Sequence, residues 1–119
     1  MVNSTLAMEI DQLHAEVCAA LADPRRIMLL YTLAAGPRCV GDLAEALQLA
    51  QPAVSRHLKL LRDHGLVVPT RRGTTVEYSL ADARLIQALD LLRALLRDRL
   101  THQASLAQET VSTSESTLA

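Results

Sequence analysis

Between Gln51 and Val76 the chain carries Arg56, Lys59, Arg62, Arg71 and Arg72 against a single carboxylate, Asp63, although the 119-residue whole has a net charge of −1. A local excess of cations suits a polyanion, because phosphates are neutralised where the contact is made. On a helix of about 100° per residue, Val54, Leu58 and Leu61 share one face. Ser55, Arg56, Lys59 and Asp63 point away from it, Pro52 and Arg62 lie toward that outer side, and His57 sits on the flank. The outer face can hydrogen-bond to base edges. A guanidinium matches the paired acceptors of guanine, the carboxamide of Gln51 suits adenine, and the Ser55 hydroxyl tolerates several bases. Lys59 and Arg62 are better placed for phosphates. Arg71, Arg72 and Thr74 surround Gly73, at a turn that can reach phosphates or a neighbouring minor groove.

The other reactive side chains are the thiols of Cys18 and Cys39. Two cysteines without a framework spacing fit a reducing cytoplasm better than a disulfide-stapled secreted fold. Cys39 falls near a helix start beside Arg38, a setting that favours thiolate, with Asp42 opposing it one turn on. Three uses are open. Both cysteines can be small buried apolar groups. Cys39 can be a redox or sulfur-species switch with Cys18 as resolving thiol. Both can instead contribute to a thiophilic metal or metalloid site, which needs at least two or three thiolates. His14 and His102 are isolated, as exposed histidines often are.

These groups must be held by an aliphatic framework. Half of the residues are hydrophobic, yet Trp and Phe are absent and Tyr occurs twice, so Leu, Val, Ile and Ala make the core. That composition favours helices. In a domain this small, such leucine richness also predicts a core completed against a second copy of the chain. Leu6, Ile10, Leu13, Val17 and Leu21 recur every three or four residues and predict a first helix over 6–21. Asp23-Pro24 caps and opens a second, which Gly36-Pro37 stops. A third runs from about Val40 to Leu47, and a fourth from about Gln51 to His64 with Gly65 as its stop. Leu66–Pro69 and Thr75–Leu80 predict a β-hairpin around Arg71-Arg72-Gly73-Thr74. A last helix, Arg84 to Thr101, is apolar nearly all round (Leu85, Leu89, Leu92, Leu95, Leu96, Leu100) and needs cover on more than one side. Residues 1–5 and the polar segment 103–119 are expected to be disordered, leaving 6–102 as one domain. Ala50 is a poor cap for the fourth helix; a DNA phosphate could satisfy its free N–H groups. No secretory signal and no membrane span are expected.

ALADPRRIMLL, CVGDLAEAL, QPAVSRHLKLLRDHGLV and RRGTTVEYSL, in that order, resemble the ArsR/SmtB winged-helix repressors over about Ala19 to Leu96. The resemblance implies a mainly α winged helix-turn-helix fold, α1-α2-α3-α4-β-hairpin-α5, and a homodimer through the first and last helices. It implies double-stranded operator DNA as partner, release on binding an inducer, and DNA contacts at Gln51, Ser55, Arg56 and His57. The family's last-helix zinc pattern reads here as Asp82-x-Arg84 and Leu95-x-x-Asp98; Arg and Leu cannot ligate zinc. Its Cys-x-Cys pattern reads Cys39-Val40-Gly41, so one thiolate is missing. The expected cofactor is none, or a thiophilic metal ion. A protein-binding winged helix is the alternative from another class, but it would present an apolar outer face. No catalytic arrangement of residues points to an enzyme.

Overall fold

The computed structural model describes residues 3–118. The elements run α1 (Ser4–Leu13), a π-helical turn (His14–Cys18), α2 (Pro24–Ala34), β1 (Arg38–Cys39), α3 (Val40–Leu47), α4 (Gln51–Asp63), β2 (Val67–Arg72), β3 (Thr75–Leu80) and α5 (Arg84–Leu118). Residues through Ile86 form one compact unit and those from Gln87 onward a second, where sequence suggests a single domain.

The first unit is built on branched aliphatic side chains. Leu29 and Leu30 of α2, Leu43 of α3, and Val54, Leu58 and Leu61 of α4 are fully buried, with Leu33, Ala44, Leu66 and Val67 at the margin. The Asp23 carboxylate accepts the Arg25 N–H at 2.8 Å and caps α2, as Asp23-Pro24 predicts. Arg26 donates from Nε to the Ala20 carbonyl at 2.7 Å, tying α2 to the end of the preceding helical stretch.

The strands form an antiparallel sheet in the order β1-β3-β2, so the predicted hairpin is present but carries a third strand. β1 pairs Arg38 with Tyr78 and Cys39 with Glu77. Two residues are too few to show any alternation in sequence. Pro69 is accommodated because β2 is an edge strand. Gly73, at φ +64, takes the first place of the two-residue turn, where a positive φ is required.

One expectation is corrected. The first helix is not continuous: Ala19 donates to the His14 carbonyl at 3.0 Å, a wider turn that leaves the apolar spacing almost unchanged. At the start of α1 the Asn3 side chain accepts from the Thr5 and Leu6 N–H groups at 2.6 and 3.1 Å. The segment 103–118 continues α5 as helix. Between Arg84 and Leu118 no Gly or Pro interrupts it, and extending an existing helix adds a hydrogen bond for each residue fixed. Met1, Val2 and Ala119 lie outside the described residues.

Two helix ends set the geometry around α4. Gly65 (φ +74) closes α4, with the Leu66 N–H on the Leu61 carbonyl at 2.9 Å. Gln48 closes α3 in the same left-handed conformation (φ 54), with Leu49 N–H on the Ala44 carbonyl at 3.0 Å, although it bears a side chain. That conformation costs an L residue roughly 1–2 kcal/mol. Gln48→Gly should therefore raise the thermal midpoint, stabilising the fold by about 0.5–1 kcal/mol after the added flexibility of the unfolded chain. Gly65→Ala should lower the midpoint, at a loss of about 1 kcal/mol in stability. Equal midpoints for Gln48→Gly and the parent in a calorimetric melt would contradict the strain assigned to the α3–α4 turn.

Candidate nucleic-acid interface

Burial of Val54, Leu58 and Leu61 orients α4 as its periodicity predicts. Gln51, Pro52, Ser55, Arg56, Lys59 and Arg62 are exposed, and His57 is half-buried. Arg62 lies 3.8 Å from the Asp63 carboxylate. Among the described residues no carboxylate is paired with Arg56 or Lys59. These cations cluster on the outer face of α4, where their charge is uncompensated. At the N-terminus of α4, Ala50 provides no side-chain cap. Pro52 has no N–H, and Ala53 donates to the Ala50 carbonyl at 3.0 Å.

His57 differs from its neighbours. Burial holds its pKa below the usual histidine value, Asp23 works against that, and Arg26, Arg25 and Arg56 reinforce it. The flank of α4 thus faces the charged start of α2, and His57 meets neutral pH as an uncharged imidazole. His64, the C-terminal cap of α4, places Nδ1 3.6 Å from Glu16 Oε2, too long for a hydrogen bond. Neither contact is visible in sequence, because the partners lie on other helices.

Along the wing, Arg71, Arg72 and Thr74 are exposed. Arg72 Nε lies 2.9 Å from Glu77 Oε1 in an ion pair, while Arg71 has no carboxylate partner among the described residues. The two wing arginines, equivalent in sequence, are therefore electrostatically different.

Both thiols are free; within one chain Cys18 is exposed and Cys39 half-buried. Cys39 occupies the N-cap of α3. Its Sγ and Nε2 of Gln51 both lie within 4.0 Å of the point where a Cβ on Gly41 would sit. Both side chains thus border the space beside Gly41. The Asp82 carboxylate receives Arg84 Nε and Nη2 at 3.1 and 2.7 Å, which lowers its pKa to about 2. Among the described residues of one chain, no three His, Cys, Asp or Glu side chains converge to hold a metal ion.

The family model described as bacterial regulatory protein, arsR family, matches residues 23–68. The HTH-type transcriptional regulator NmtR of Mycobacterium tuberculosis is 49% identical over 76 residues, 64% of this chain and 63% of that protein, so the chain spans less than two thirds of NmtR. The regulator CmtR of the same organism is 45% identical over 83 residues, 69% of this chain and 70% of CmtR. Its NMR structure, described as the cadmium metal-sensor, gives a TM-score of 0.57 at 46% identity, covering 66% of this chain and 81% of that one. The homodimeric winged helix-turn-helix DNA-binding domain of Mb0332 from Mycobacterium bovis gives a TM-score of 0.72 at 32% identity, covering 85% of this chain and 93% of that one.

Because His57 binds a proton less readily when folded than when unfolded, its contribution to stability is complete above the ordinary histidine range and is lost as pH falls through it. The thermal midpoint should fall between about pH 7.5 and 5.5, and His57→Gln should remove most of that slope. A variant that keeps the whole slope would show that another group titrates.

Proposed function

The chain belongs to the arsR family of bacterial regulatory proteins, and from that premise we propose that it is a homodimeric transcriptional repressor of operator DNA. The observation that carries this reading is α4, rigidly seated by three buried side chains and presenting Gln51, Ser55 and unpaired Arg56 and Lys59 outward. An apolar outer face would have favoured a protein partner; this one is polar and cationic. In the proposed complex α4 lies in the major groove. Gln51, Ser55 and Arg56 face base edges, Pro52 and His57 flank them, and Lys59 and Arg62 meet phosphates. Arg71, Arg72 and Thr74 of the wing reach the adjoining backbone or minor groove. Two such helices set roughly 34 Å apart match successive major grooves of an imperfect palindrome.

The dimer would use α1 and α5. Leu6, Met8, Ile10 and Leu13 on the one, and Leu91, Leu92, Leu95, Leu96 and Leu100 on the other, expose more apolar surface than a monomer normally leaves to water. Among the described residues no helix is long and apolar enough to cross a membrane, and we place the repressor in the cytoplasm.

Release follows from an inducer acting at Cys39, with Cys18 as second thiol, by thiol oxidation or persulfidation. The position of Cys39 supports this, because its Sγ and the Gln51 carboxamide both border the space beside Gly41. A thiophilic metal or metalloid is the second reading, favoured by the likeness to the cadmium sensor CmtR. In a dimer its ligands would include thiolates from both subunits, since a soft metal needs more donors than one Cys39 supplies.

Arg56→Ala should weaken operator binding by about 1–3 kcal/mol and relax base preference at one position, measured by fluorescence anisotropy on operator and random duplexes at fixed salt. Equal losses on both duplexes would remove Arg56 from base reading. Titrating the bound complex with peroxide, polysulfide, zinc, cadmium and arsenite identifies the inducer class. Release by oxidant that disappears in Cys39→Ser supports the thiol switch, whereas release by metal alone supports ligation. A complex indifferent to all of them would exclude the cysteines as sensors.

A further inference from the structure

Adjacent residues on a strand point to opposite faces of a sheet. In the β2–β3 register Arg72 opposes Thr75 and Thr70 opposes Glu77, so Arg72 and Glu77 share a face; Arg71, opposite Val76, is on the other. One wing arginine is thus within reach of the carboxylate and its neighbour is not. The two are close enough for an ion pair, with Arg72 Nε 2.9 Å from Glu77 Oε1. The partners differ in freedom. Glu77 is on the central strand, held by Cys39 of β1 on one side and Thr70 of β2 on the other, and its side chain is 31% exposed. Arg72 ends the edge strand at the turn and is 69% exposed.

We infer that Glu77 is a positioning residue that acts as an internal counterion, holding Arg72 along the hairpin and withholding its charge from DNA. The inference rests on the DNA-binding reading above and adds a regulator to it. In the free protein each wing offers one uncompensated cation, Arg71. Arg72 reaches a phosphate only by leaving Glu77. An exposed ion pair is weak enough for that exchange, but the exchange strands a carboxylate near the DNA backbone, so the net gain is smaller than that from a free arginine. Glu77 thereby lowers the affinity of the wing for any sequence and leaves the base-reading helix untouched.

The test is a salt titration of operator and random duplexes with the full chain, comparing the parent, Arg71→Ala, Arg72→Ala, Glu77→Gln and the Arg72→Ala/Glu77→Gln double variant. Melting curves confirm that each is folded. Glu77→Gln should tighten both duplexes by roughly two- to fivefold at low salt. It should also steepen the plot of log affinity against log salt by about 0.9 for each wing engaged. Arg71→Ala should cost more than Arg72→Ala. In the Arg72→Ala background the steepening by Glu77→Gln should vanish, because no cation remains to be freed. An unchanged slope in Glu77→Gln, or the same steepening without Arg72, overturns the inference and leaves only general repulsion by Glu77. Failure of the parent to bind either duplex would instead refute the DNA-binding reading itself.

Discussion

The direction of every exposed group on α4 depends on three side chains that cannot be seen from outside. Val54, Leu58 and Leu61 are fully buried, and each residue of register along a helix turns a side chain by about 100°. If their seat were lost, Ser55 and Arg56 would no longer share an outward face with Lys59. The chain has no Phe or Trp to anchor the core with a single large ring. The same work is spread over Leu29, Leu30 and Leu43 packed around α4. Such cores are sensitive to loss of volume: a Leu→Ala change typically costs ~2–5 kcal/mol, against a total stability of about 5–15 kcal/mol. Stability and recognition therefore rest on the same few leucines.

The face of α4 was legible in sequence because burial there repeats with the helical period and leaves its trace in residue type. The limits of the helices between Asp23 and Gly65 were legible for a similar reason: Asp, Pro and Gly act on their nearest backbone neighbours. What escaped was either too short or too distant. β1 is two residues long and exists only because β3 offers it a partner. The π-helical turn at His14–Cys18 shifts the backbone bonding without disturbing the apolar stripe. Gln48 in a left-handed conformation breaks the rule that would place Gly there. The ion pair of Arg72 and the charged surroundings of His57 join residues on different elements, and spacing along one element cannot show them.

Charge in this protein is arranged by place rather than by total. A net charge of −1 keeps the chain from holding every polyanion it meets, while the cations on α4 and the wing concentrate attraction where a duplex would lie. Within that patch the roles separate. Arg56 and Lys59 have no paired carboxylate among the described residues, whereas Arg62 lies beside Asp63. His57 is partly enclosed, and burial holds its pKa below the usual histidine value.

The sheet is small, yet its middle strand has a mechanical meaning. β3 is bonded on one edge to the residue that precedes α3 and on the other to the strand that carries the wing. In the proposed thiol switch, this ladder would offer a path from a displacement at Cys39 through β3 to the wing. Helix and wing can grip one duplex together only within a narrow range of mutual angles. A change of a few atoms at a thiol would thus be read out as a change of calliper width.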